Sequence, residues 1–181
     1  NSLGNFTVPC FERSEFVRKT FNRLSQIFFI PDNKLSWSKK AFQKAIELLS
    51  IEHFDCVFVT GPPFSQFDIF SEIKKAHNIP LILDYRDLWV DNQFSFYLTT
   101  FHKSLHKRKE YRALKAADKV IVTNRRIKEK LINDYKFISF DEVYIIPHGY
   151  DPEDFLKVEQ IEKPNDKMLL TYAGLFYEYI T

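Results

Sequence analysis

Residues Asp55–Trp89 read DCVFVTGPPFSQFDIFSEIKKAHNIPLILDYRDLW. Cys56-Val57-Phe58-Val59 is a short run of β-formers, apolar on both faces, and it stops at Thr60-Gly61-Pro62-Pro63. A run of that length and composition predicts a buried parallel strand. Two prolines cannot continue a central strand, so the chain must turn there. A helix is expected from about Ser65 to Ala76, with Phe67, Ile69 or Phe70, Ile73 and Ala76 on one buried face. Asn78 and Pro80 end it. Leu81-Ile82-Leu83 is a second strand, and Asp84-Tyr85-Arg86-Asp87 follows its carboxyl end. Two parallel strands joined by a helix form a right-handed crossover. Ligands of such sheets bind beyond the carboxyl ends of the strands. Both polar clusters, 61–65 and 84–87, belong to that edge.

The same alternation extends outward from this unit. Upstream, residues 14–29 have an amphipathic pattern, with Phe16, Val17, Phe21, Leu24, Ile27 and Phe28 set against Arg18, Lys19 and Arg23. That suits a core helix with a basic solvated face, or a helix on an anionic membrane surface. Pro31-Asp32-Asn33 closes it. Ser36 is the expected N-cap of a helix over 37–50, with Trp37, Ala41, Ala45 and Leu48 in its apolar stripe. Downstream, 90–97 reads as a loop and 100–116 as a helix. That helix bears Lys103, His106, Lys107, Arg108, Lys109, Arg112 and Lys115. Its basic run reads as a solvated face, with anionic phospholipid as the sharper alternative. Val120-Ile121-Val122 and 143–146 are further strands, separated by a helix over 125–135. The expected organisation is a Rossmann-like α/β domain over 1–150, a charged linker over 151–167, and the first strand of a second domain over 168–181.

Composition narrows the function classes. The 181 residues hold 26 Lys+Arg and 24 Asp+Glu, a net charge of +2, which argues against a nucleic-acid partner. The two cysteines, Cys10 and Cys56, form no disulfide framework, so a reduced, cytoplasmic setting is expected. No histidine spacing suggests a metal site. Glycine occurs only 4 times, few for a complete nucleotide-binding domain, and the usual opening strand and glycine turn are missing.

Three places could carry chemistry. The start of the helix at Gly61, Pro63 and Ser65 could hold an anion or a sugar hydroxyl, unless Ser65 merely caps that helix. Asp84, Arg86 and Asp87 could orient a hydroxyl, act as base or bind a phosphate, unless Asp87 caps a turn that Arg86 neutralises. His148 stands at a further strand end beside Gly149.

Six stretches in order, PDNKLSW (31–37), TGPPFSQF (60–67), IPLILDYRDLW (79–89), ALKAADKVIVTN (113–124), IPHGYDPEDF (146–155) and LLTYAGLFY (169–177), resemble the first domain of family 4 glycosyltransferases, which are retaining enzymes of the GT-B fold. The resemblance implies two Rossmann-like lobes facing across a cleft. One takes the acceptor; the other takes a nucleotide-diphosphate sugar, with no further cofactor and no tightly held metal. It implies Asp84, Arg86 and Asp87 as catalytic candidates, Gly61, Pro63, Ser65, Trp89 and His148 on the acceptor side, and Gly149 and Gly174 near the donor. The chain departs from its relatives at Phe64 and Phe67, where they often carry His, and at His148, where they have Asn. The implied partners are the nucleotide-sugar and a glycan or lipid-linked acceptor, with peripheral contact at the inner membrane face. The chain reads as part of an enzyme of cell-surface polysaccharide or glycolipid synthesis, inactive without its donor lobe. The competing reading is a non-catalytic α/β module that binds a phosphorylated ligand or a protein.

Overall fold

The computed structural model describes residues 29–92, 95, 97–156, 168, 170 and 173, with Lys75 described in its backbone only. It falls into two units, Asn1–His148 and Gly149–Thr181. In the first, helix α1 (Leu35–Ile51) leads to strand β1 (Val57–Gly61), short helices α2 (Ser65–Phe70) and α3 (Ile73–His77), and strand β2 (Leu81–Tyr85). Helix α4 (Thr100–Ala116), β3 (Lys119–Val122), α5 (Arg125–Asp134), a 3-10 turn at Phe140–Glu142 and β4 (Val143–Ile145) follow. In the second unit, Pro152–Phe155 form a 3-10 turn, and the Asp151 side chain accepts from the Glu153 N–H. Of the amphipathic segment expected over 14–29 only Phe29 is described, and of the strand expected over 168–172 only Met168 and Leu170, both exposed and neither in a strand; Gly174 lies outside the described residues.

The four strands form one sheet in the order β1-β2-β3-β4, every pair parallel. This is the expected Rossmann-like α/β arrangement, with helices flanking a parallel sheet. Each crossover steps the same way across the sheet, so its right-handedness puts the connecting helices on one face. Register shows which face that is. Val59, Leu83, Tyr85, Val120, Val122 and Val143 are buried. Their alternates form rows on the opposite face, Phe58 beside Ile82, then Thr60, Asp84, Ile121 and Tyr144. In those rows only Asp84 is buried; Phe58 is 52% exposed. The strand expected to be buried on both sides is therefore buried on one, and Cys56, expected inside it, precedes β1 and is exposed.

The helical side holds the core: Phe67, Ile73, Leu81, Leu83, Tyr85 and Val122 are fully buried. Each such side chain contributes about 1.5–3 kcal/mol. Phe64, Phe67, Tyr85 and Trp89 form an aromatic cluster at the carboxyl end of the sheet, with Phe64 stacked on Trp89 at 5.3 Å. Gly61 is where this cluster meets β1. A Cβ there would stand 2.7 and 2.9 Å from two atoms of the Phe67 ring, so only glycine fits without displacing that ring.

Three helix expectations need correction. α1 starts after Lys34, not at a Ser36 cap, and Trp37 is 54% exposed. Ser38 takes the inward position instead, while Ala41 and Ala45 of the expected stripe, with Phe42, Ile46 and Leu49 beside them, pack against the core. The single helix expected over 65–76 is two helices. At Ser71 the side chain donates to the Asp68 carbonyl at 2.6 Å, and the Glu72 N–H reaches back three residues to Ile69. These bonds tighten the turn and redirect the axis. The predicted stop holds, because Asn78 caps α3 in the left-handed region at φ 49°. α4 has the predicted bounds, with the Thr99 hydroxyl accepting from the His102 N–H. Its basic run is not one open patch: Lys109 and Arg112 pair with Asp68 of α2, Lys103 with Asp91, and Lys115 lies over the Phe137 ring. No helix among the described residues is long and apolar enough to cross a membrane.

Candidate functional site

The parallel sheet brings its carboxyl ends to one rim, and hydrogen bonds lace the strand-end loops together there. The Arg86 N–H donates to the Gly61 carbonyl at 3.0 Å, and the Ile146 N–H donates to the Val122 carbonyl at 2.9 Å. The Thr123 hydroxyl reaches the Arg86 carbonyl at 3.5 Å. Loops 61–65, 86–92 and 123–126 are thereby neighbours.

At the centre, Arg86 Nε donates to Asp84 Oδ2 at 2.8 Å. The Asp84 side chain is 1% exposed and that of Arg86 35%. The other Asp84 oxygen has no hydrogen-bond partner among the described residues. Asp84 is thus a buried carboxylate held by one half-open guanidinium, whose remaining donors can meet an incoming anion or hydroxyl.

Asp87 is exposed, and it borders a cleft of about 460 Å³. Leu88, Asp91 and Asn92 form the near wall; Asn124, Arg126, Ile127 and Lys130, from the start of α5, form the far one. Asn124 caps α5, its Oδ1 accepting from the Ile127 N–H at 3.0 Å. Arg126, the second residue of α5, is exposed and has no ion-pair partner among the described residues. Asp91 sits in the left-handed region at φ 60° and is held by Lys103 and Lys130. The hydrogen bond from Lys103 leads, over an opposing desolvation and with help from Lys130, in keeping the Asp91 carboxyl below its usual range. One wall of the cleft is therefore a neutralised carboxylate, while Asp87 and Arg126 remain available.

Ser65 is placed differently from its expectation. It is fully buried and is the first residue of α2, not its cap. Its N–H donates to Asp32 Oδ2 and its hydroxyl to Asp32 Oδ1, both at 2.8 Å, with Ser38 Oγ at 2.7 Å from Ser65 Oγ. The anion expected at this helix start is the protein's own Asp32. Trp89, expected against the acceptor, is 2% exposed, and its indole N–H donates to His106 Nδ1 at 3.1 Å. Both residues shape the rim from behind. Gly61 is buried, Pro63 half-buried and His148 exposed just past β4. Gly149 begins the second unit, and a Cβ there would meet nothing within 4 Å. No group of His, Cys, Asp and Glu that could hold a metal ion occurs among the described residues.

Reading the strands alone misses Asp32, Asp91, Asn124, Arg126 and Lys130. Asn124 was legible, since an Asn between a strand and a helix is a standard N-cap. The pairing of Asp32 with Ser65 spans 33 residues and leaves no local signature.

The family model for Glycosyltransferase Family 4 matches residues 6–154. No curated protein matches the chain.

Proposed function

Because the chain belongs to glycosyltransferase family 4, we propose that its rim is the acceptor side of a retaining, two-lobed sugar transferase acting in cell-surface polysaccharide or glycolipid synthesis. The donor is a nucleotide-diphosphate sugar, held mainly by residues from Gly149 onward, Gly174 among them. The observation that carries this reading is the cleft between 87–92 and 124–130, which opens at the carboxyl ends of β2 and β3. That edge is where open α/β sheets take their ligands.

The roles follow from exposure. Asp87 reaches solvent and has no ion-pair partner among the described residues, so it orients the acceptor hydroxyl and takes its proton. Arg126 and the free donors of Arg86 face the charge that develops on the departing diphosphate. Asp84 is too enclosed to meet a sugar, so it fixes the Arg86 guanidinium. Ser65 and Trp89 act from behind the rim.

The test is sugar transfer by the full-length protein from radiolabelled nucleotide-diphosphate sugars to glycan acceptors. Asp87→Asn and Arg126→Ala should each lower transfer about tenfold or more, since each misplaces a reacting group. Both side chains are exposed, so the urea midpoint should not move. Undiminished transfer in both variants would remove the cleft from the reaction.

A further inference from the structure

Behind the cleft lies a buried acid that the proposed reaction does not use. Glu110 of α4 is 1% exposed. The Tyr135 hydroxyl, at the end of α5, donates to its Oε2 at 2.5 Å. Its Oε1 and the hydroxyl of Tyr85, the last residue of β2, are both buried and without a hydrogen-bond partner among the described residues. The Tyr85 hydroxyl and the Val90 backbone N–H are the other donors that favour the ionised carboxyl. Glu110 therefore faces both ends of the segment running from β2 to Val90, which carries Arg86 and Asp87. It also faces the end of α5, whose start forms the far wall of the cleft.

We propose that Glu110 is a positioning residue for the rim: its buried carboxyl ties the 85–90 segment to the end of α5, and its ionisation draws that segment inward. A neutral acid can be left with one bond to Tyr135. A buried carboxylate cannot, because its desolvation must be offset by further donors, and the two in place are the Tyr85 hydroxyl and the Val90 N–H. Tightening those contacts pulls on Val90 and its neighbour Trp89. The link to catalysis rests on the acceptor-rim reading, but the movement itself does not.

The surroundings leave Glu110 as the group that titrates there near neutrality. Burial pushes its carboxyl up to about 7, against the pull of Tyr135 and Tyr85. Facing it are Tyr85 from β2, Tyr97 from the segment before α4, and Asp134 and Tyr135 from α5, with Asp91 one step further out beside Tyr135. Burial raises all three tyrosines, and Lys103 keeps Asp91 ionised. On α4 itself, His106 bonds Trp89, and burial lowers its imidazole.

Trp89 is the reporter, read in a Trp37→Phe background, because Trp37 is exposed. No sugar or nucleotide is needed, so failure here is separate from failure of the transferase reading. The emission of Trp89 should titrate with a midpoint near 7. The titration should vanish in Glu110→Gln and persist in His106→Asn. Tyr135→Phe removes a donor to the ionised form, so it should raise the midpoint by about half a unit or more. That variant decides the matter if Glu110→Gln does not fold. A flat signal from pH 5.5 to 8.5, a titration that survives Glu110→Gln, or an unmoved midpoint in Tyr135→Phe overturns the proposal.

Discussion

Arg86→Met should lower the free energy of unfolding by about 3 kcal/mol, the low end of the range for breaking a buried ion pair. The size follows from what is left behind. Asp84 sits fully enclosed on the sheet face away from the helices, and Arg86 Nε at 2.8 Å is its counter-charge. Its second oxygen already has no partner among the described residues. Methionine keeps most of the packing of the arginine stem and removes only the guanidinium. The low end applies because Arg86 is 35% exposed, so water screens part of the attraction. Asp84→Asn on top of Arg86→Met should recover most of the loss, since the stranded charge is then gone. Urea unfolding of the single and double variants reads this directly. A loss under about 1 kcal/mol in Arg86→Met would mean that Asp84 does not depend on Arg86.

The second large effect is expected at Asp32. Its carboxylate takes both the N–H and the hydroxyl of Ser65, and Ser38 completes the cluster. Asp32→Ala takes the acceptor from the Ser65 hydroxyl and from the helix-start N–H of Ser65, at a cost of about 2–3 kcal/mol. Ser65→Ala keeps the backbone bond to Asp32 and should cost about 1 kcal/mol. The difference between them separates the helix-start role of Asp32 from simple burial. Faster amide exchange at Ser65 in Asp32→Ala alone would accompany it. Equal losses in the two variants would contradict the assignment.

How much of this could be read from the residues varies with the range of the interaction. The strands were legible because short apolar runs ending in polar turns admit few other structures; the helix over 100–116 was legible as one long charged segment between the loop 90–97 and the next strand. The inward place of Ser38 was not, since Trp37 looks like the better core residue. The choice of Ser38 depends on Ser65, 27 residues away. The break at Ser71 is a local competition between side chain and backbone that an apolar stripe does not reveal. At the site, Arg86 and Asp87 could be placed on the rim from strand polarity alone. That Asp84 lies on the sheet face away from the helices, and that α5 supplies the opposite wall of the cleft, depends on register between β2 and β3. Glu110, one acid within a basic helix, carries no local signal of its burial. Only the fold turns it inward, between Tyr85 and Tyr135.

Transfer at this site requires that the carboxyl rim, not some other surface, meet the acceptor. Backbone amide shifts of the isotope-labelled protein, followed during titration with a panel of methyl glycosides, test this most directly. Shifts confined to the loops 86–92 and 123–126 are the result expected here. Shifts gathered instead around 52–56 and 77–80, where a separate hollow lies at the opposite edge of the sheet, would contradict it.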